Sequence, residues 1–264
     1  PEDHTYMARA LHLAAQGLYT TTPNPRVGCV IVRDGVVVGE GWHAKAGGLH
    51  TEPLALQAAG DRVAGATVYV TLEPCAHHGR TPPCVDALLA AKPARVVAAM
   101  QDPNPKTSGK GFERLRAAGI TVDVGLMEGE ARELNIGFVS RMTRGTPWVR
   151  MKVAASLDGR TALANGKSQW ITGPEARKDG HAWRARACAV ITGVGTVKDD
   201  DPLLTVRDVA STRQPYRVVV DSRLQTPLTA KILGPGTIIA AAGVDAPRSV
   251  ALRAHGAEVV VLPN

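Results

Sequence analysis

Short apolar runs rich in β-branched residues alternate with stretches of helical periodicity along the first half of this 264-residue chain, an alternation that confines it to helices packed on a central sheet. An amphipathic stretch over residues 3–18 precedes an apolar run over 27–32, and Asp34-Gly35 separates that run from another at 36–41. An Asp-Gly pair there predicts a tight hairpin, because both central positions of such a turn take positive φ. A helix is predicted over 52–59, a strand over 66–72, a helix over 83–91, a strand over 95–100, a helix over 112–118, a strand over 120–124 and a last helix over 128–142.

The helical pattern stops in Thr143-Arg144-Gly145-Thr146-Pro147, and a strand over 148–155 is expected to open a second domain. The division is therefore placed between domains 1–145 and 146–264. In the second, Thr172 and Glu175 with Pro174 between them read as a capping box starting a helix through Arg186. Strands are expected over 188–192, 216–221, 237–242 and 258–262. Since the last of these has no closing helix or partner after it, the second domain is expected to be incomplete at its C-terminus.

Composition narrows the function classes. No apolar run approaches the roughly 20 residues that span a bilayer, and Pro1-Glu2-Asp3-His4 lacks a basic-then-apolar leader, so no membrane partner and a cytoplasmic location are expected. The net charge of +7 is spread along the chain and aromatic residues are 4%, leaving few stacking platforms for nucleic acid. An anionic small molecule suits the modest basic excess better. Four cysteines are too few and too scattered for a disulfide scaffold; Cys29 and Cys188 are expected in the core.

The other two have chemistry to do. His50-Thr51-Glu52 stands where a helix opens, Glu73-Pro74-Cys75 ends a predicted strand, and Cys84 begins the next helix after Pro82-Pro83. One imidazole and two thiolates, His50, Cys75 and Cys84, leave a fourth tetrahedral position for water, the composition of a catalytic zinc site. Zn2+ lowers the pKa of that water toward neutrality. Glu52 sits two residues from a ligand and serves as the proton carrier that attack on an amine-bearing ring carbon requires. His-x-Glu followed by Pro-Cys-x-x-Cys is the signature of zinc deaminases. Here eight residues separate the cysteines instead of two.

That longer insert, Ala76-His77-His78-Gly79-Arg80-Thr81-Pro82-Pro83, together with Thr22-Pro23-Asn24-Pro25-Arg26-Val27-Gly28, Asp102-Pro103-Asn104-Pro105 and Ser156-Leu157-Asp158-Gly159-Arg160-Thr161-Ala162, closely resembles the bifunctional deaminase-reductase family of riboflavin biosynthesis. The resemblance covers nearly the whole chain. It implies an α/β architecture: a cytidine-deaminase-like three-layer α/β/α domain followed by a dihydrofolate-reductase-like α/β domain. It also implies two reactions. The first hydrolyses the 2-amino group of a diaminopyrimidinone carrying a ribosylamino 5′-phosphate; the second reduces the ribosyl group to ribityl with NADPH. Carried over by motif, Asn24, His43, His77 and Arg80 contact the first substrate, with the Arg80 guanidinium suited to its phosphate. Ala154, Trp170, Thr196, Asp200 and Ser222 fall at NADP positions, and Ser168, Arg184, Leu204 and Arg207 at positions for the second substrate. The family also associates, so a homodimer or larger homo-oligomer is expected. A deaminase acting on transfer RNA shares the zinc core and is the alternative enzyme. A module in which zinc only holds the fold is the alternative without catalysis.

Overall fold

A computed structural model of the chain describes residues 2–79, 82–243 and 245–262. Two compact units, Pro1–Arg150 and Met151–Asn264, divide it.

The first unit contains α1 (Glu2–Gln16), β1 (Gly28–Arg33), β2 (Val36–Trp42), α2 (Thr51–Ala59), β3 (Thr67–Val70), α3 (Cys84–Ala91), β4 (Arg95–Ala98), α4 (Lys110–Ala117), β5 (Thr121–Val124), α5 (Glu128–Leu134) and α6 (Ile136–Arg144). Its sheet runs β2-β1-β3-β4-β5. β1 is antiparallel to both β2 and β3, whereas β3, β4 and β5 are parallel. The predicted hairpin is present, with φ of 51° at Asp34 and 74° at Gly35.

Side chains along a strand alternate between faces, so a strand apolar at every position builds two cores. Cys29, Ile31, Val68, Val70, Val96 and Ala98 pack on one side with Ala55, Val85, Leu88, Phe112 and Leu115 from α2, α3 and α4. Val30, Val32, Tyr69 and Val97 pack on the other with Met7, Ala10 and Leu13 of α1 and Ala131 of α5. The result is a three-layer α/β/α unit. Gly41 sets how closely α2 lies on β2: a Cβ there would come 2.7 Å from the Thr51 carbonyl oxygen. That same oxygen's residue donates its hydroxyl to the Gly41 carbonyl at 2.7 Å, fixing the start of α2 against the sheet.

The helix expected over 128–142 is two helices. Asn135 interrupts it with φ −113°. Its side-chain oxygen accepts from the Arg26 N–H at 2.7 Å and its amide donates to the Arg26 carbonyl at 2.9 Å, so a long-range clamp takes the place of helical continuity.

In the second unit, α7 (Pro174–Arg186), β6 (Ala189–Gly193), α8 (Val194–Asp200), β7 (Tyr216–Val220), β8 (Thr237–Ala241), α9 (Ala246–Ala254) and β9 (Ala257–Val261) build a parallel sheet of order β6-β7-β8-β9. Its core joins Val219, Ile239, Leu252 and Val259. Three expectations need correction. Residues 148–155 form no strand, because no neighbouring strand among the described residues takes up their backbone groups. The N-cap of α7 is Gly173, without a side-chain cap, not Thr172. Cys188 is exposed, while Cys29 is buried. Among the described residues no helix is long and apolar enough to cross a membrane.

Candidate metal centre and active site

Two helix N-termini meet at one end of the first sheet. His50 precedes α2 in extended backbone (φ −73°, ψ 167°), which turns its ring out of the helix. Cys84 is the first residue of α3, with Pro83 as its N-cap, and Cys75 lies on the loop leaving β3. Free N–H groups at a helix N-terminus favour thiolate; accordingly the Cys84 N–H donates to the Cys75 sulfur at 3.3 Å.

The His50 Nδ1 lies 3.3 Å from the Cys84 Sγ and 3.6 Å from the Cys75 Sγ, and the three donor atoms are all within 4.8 Å of one another. Tetrahedral zinc at ~2.0 Å from nitrogen and ~2.3 Å from sulfur places N and S about 3.5 Å apart. The trio fits zinc. The electrostatics agree: hydrogen bonding from Cys84, aided by His50 and the Cys84 N–H, holds the Cys75 thiol down at about 4. The Cys84 thiol is pushed up by Cys75 and by burial. One proton leaves such a pair easily and the second is held, a conflict that a divalent cation relieves.

Glu52, in the first turn of α2, is 4% exposed. Burial raises its carboxyl to about 7, where it can both take and give a proton near neutrality. A cleft of about 300 Å³ opens over this cluster and adjoins a lobe of about 400 Å³. Asn24, His50, Cys75 and His77 line both, and His43 and Glu52 line the first. His43 is held as a neutral tautomer: Nδ1–H donates to the Leu49 carbonyl at 3.0 Å, leaving Nε2 to accept from the Asn24 amide at 3.2 Å. Burial lowers its pKa, consistent with that state. The His77 Nδ1 lies 3.1 Å from the Thr107 hydroxyl. Arg80 lies outside the described residues.

Sequence reasoning passed over several lining residues. Asp102 and Asn104 belong to the quoted Asp-Pro-Asn-Pro segment but were given no role, and burial raises the Asp102 carboxyl to about 6. Phe138 and Arg141 reach the cleft from α6, where no local pattern distinguishes them from other helix positions. Glu73, 3% exposed, accepts from the N–H groups of Asp102, Gly109 and Gly111 and so ties the Cys75 segment to the loop after β4.

The positions in the second unit group differently. Thr196 and Asp200 lie on α8, which directly follows β6, and Ser222 lies two residues after β7. The Ser168 hydroxyl reaches Asp200 at 3.4 Å. Arg184 and Arg207 converge on the Thr205 carbonyl, at 2.7 and 3.5 Å, beside Leu204, whose φ is 53°. Trp170 is exposed with Arg177 4.5 Å from its ring centroid, and Ala154 lies in the segment 148–155 outside any strand.

Residues 1–100 match the cytidine and deoxycytidylate deaminase zinc-binding region, and residues 147–260 match the RibD C-terminal domain. The riboflavin biosynthesis protein RibD of Escherichia coli is 54% identical over 248 residues, covering 89% of this chain and 68% of that protein. RibD of Haemophilus influenzae is 51% identical over 243 residues, covering 88% of this chain and 65% of that protein. This chain thus spans about two thirds of the length of these relatives. The solved structure of RibD from Acinetobacter baumannii superimposes with a TM-score of 0.93 at 48% identity, over 100% of this chain and 74% of the other. A diaminohydroxyphosphoribosylaminopyrimidine deaminase/5-amino-6-(5-phosphoribosylamino)uracil reductase from Thermotoga maritima superimposes at 0.86 with 35% identity, over 98% of this chain and 80% of the other.

Proposed function

The chain belongs to the RibD family of riboflavin biosynthesis proteins, and from that premise we propose that its first domain, 1–145, deaminates a diaminopyrimidinone ribosylamino 5′-phosphate by hydrolysis. The observation that carries the reading is the convergence of His50, Cys75 and Cys84 beside the buried Glu52 at the floor of a cleft. Zinc held by the three supplies the Lewis acidity that makes a water molecule nucleophilic near neutrality.

The protein's own groups do the rest. Asn24 is oriented by its bond to the neutral His43, which leaves the Asn24 side-chain oxygen to accept from the pyrimidine ring. The Glu52 carboxylate takes a proton from the attacking water and delivers it to the ring nitrogen; a second transfer by the same group lets ammonia leave. His77, a residue of the insert between the two cysteines, is steadied by Thr107 and closes one side of the cleft.

The second domain, 146–264, takes NADPH and the deaminated product in this reading. Thr196 and Asp200 of α8 and Ser222 after β7 serve the nucleotide, with Ala154 and Trp170, while Ser168, Arg184, Leu204 and Arg207 serve the substrate. Burial, and then the neighbouring Arg207, disfavour the Arg184 cation, which suits the site to an anionic substrate group.

Ammonia release from the diaminopyrimidinone ribosylamino phosphate tests the deaminase reading. Glu52→Gln should retain zinc and lose at least about 100-fold in kcat. A variant with normal turnover would remove Glu52 from the chemistry. Wild-type protein that deaminates a transfer-RNA anticodon stem and leaves this substrate untouched would replace the substrate class.

A further inference from the structure

Glu52, Glu73 and Asp102 place three carboxyl groups in the lining of the cleft over the metal cluster. Among the described residues, Arg141 is the one lysine or arginine that lines either lobe. It stands in the last turn of α6, three residues after Phe138, and that spacing puts both side chains on one helix face.

Arg141 is exposed, and among the described residues its guanidinium has no hydrogen bond or ion pair. Arginines nearby in the chain are engaged: Arg144 donates to the Ser140 hydroxyl and lies over the Trp148 ring, Arg132 pairs with Glu128, and Arg150 pairs with Glu133. A cation in the final turn of a helix is favoured by the helix dipole, which accounts for a charge at this position. The dipole does not account for a guanidinium lining an acidic cleft with all its donors unused.

A phosphate monoester brings close to two negative charges to this cleft, among carboxyl groups that repel it. A planar guanidinium offers two parallel N–H donors matched to two phosphate oxygens. We propose that Arg141 holds the 5′-phosphate of the pyrimidine's ribosylamino chain and thereby makes the deaminase centre selective for phosphorylated over unphosphorylated substrate. The contact adds to the one that family resemblance implies for Arg80, and it rests on the deaminase reading above.

The test compares the zinc-loaded chain and its Arg141→Ala and Arg141→Lys variants on the phosphorylated substrate and on the matching riboside. Arg141→Ala should raise KM for the phosphorylated substrate roughly 10- to 100-fold with kcat little changed, the loss of one charge-assisted pair. Arg141→Lys should fall between, and the riboside should show no such penalty. Equal KM in wild type and Arg141→Ala overturns the proposal, as does an equal loss on both substrates, which would mark a structural role.

A second readout does not depend on turnover. Calorimetry with ribose 5-phosphate should show Arg141→Ala binding one equivalent fewer than wild type. If wild type deaminates neither substrate yet this equivalent is lost, the substrate reading fails and the anion contact stands. If wild type deaminates and neither KM nor ribose 5-phosphate binding responds to Arg141, the anion contact fails alone.

Discussion

Glu73→Gln probes the joint between the metal segment and the substrate loop. The Glu73 Oε2 accepts from the Asp102 N–H at 3.1 Å and the Gly109 N–H at 2.9 Å, and Oε1 accepts from the Gly111 N–H at 2.9 Å. A glutamine has one oxygen. Whichever way the amide is turned, its NH2 faces at least one of these N–H groups, so a bond is lost and a buried donor is left unsatisfied. Losing a bond to a charged acceptor costs about 1.5–3 kcal/mol, and a stranded donor about 1–3 kcal/mol more. A total near 3 kcal/mol corresponds to a roughly 100-fold easier local opening. Hydrogen exchange reads this amide by amide, without requiring the two units to unfold together. The Asp102, Gly109 and Gly111 amides should exchange about 100-fold faster in the variant, while ladder amides of β7 stay unchanged. Because Asp102 and Asn104 line the cleft, KM should rise with zinc retained. Exchange within about threefold of wild type at all three amides would refute the reasoning.

Three further outcomes follow from the geometry. Asp3 accepts two bonds from Arg95, at 3.0 and 2.9 Å, and one from Tyr69 at 2.6 Å, and Arg95 first among these holds its carboxyl below the ordinary 3.8. A depressed folded value stabilises the protein above the unfolded value and is lost as pH falls through the folded one. Asp3→Asn should therefore cost about 1 kcal/mol at pH 7, discounted for exposure, and the gap in denaturation midpoint should close below about pH 4. Gly41→Ala places a methyl 2.7 Å from the Thr51 oxygen and 2.9 Å from the Leu54 Cβ. It should destabilise the first unit by about 1–3 kcal/mol and lower turnover by shifting His50 and Glu52, as thermal melts and ammonia release would show. Cys84→Ala removes one of the three proposed metal ligands, and metal analysis after dialysis should find well under one zinc per chain.

The sequence made the first unit legible because β1, β3 and β4 are apolar on both faces and the hairpin turn carries its own residue signal at Asp34-Gly35. The convergence of His50, Cys75 and Cys84 was readable for a related reason: the three occupy helix starts and the loop after a strand, positions that local pattern marks. What escaped depended on distant partners. Asn135 breaks a helix through a clamp to Arg26, more than a hundred positions away. Residues 148–155 alternate as a strand would, yet Val149, Met151 and Val153 are 77%, 88% and 57% exposed; alternation marks a face and cannot supply a neighbour for the backbone. No local pattern marks residues 194–200 as a helix, yet α8 forms there directly after β6. The helix α9 did carry a signal, since Asp245 caps the Arg248 N–H ahead of Pro247. Arg141 and Phe138 had none, because a cleft-facing helix position resembles any other until the fold is assembled.

Zinc dependence of ammonia release is the most direct test of the account. Protein stripped by chelator should lose deamination of the diaminopyrimidinone ribosylamino phosphate, and one zinc per chain should restore it in proportion to metal bound. Full activity in metal-free protein, or one tightly bound zinc that restores nothing, would contradict the assignment of His50, Cys75, Cys84 and Glu52 as a deaminase centre.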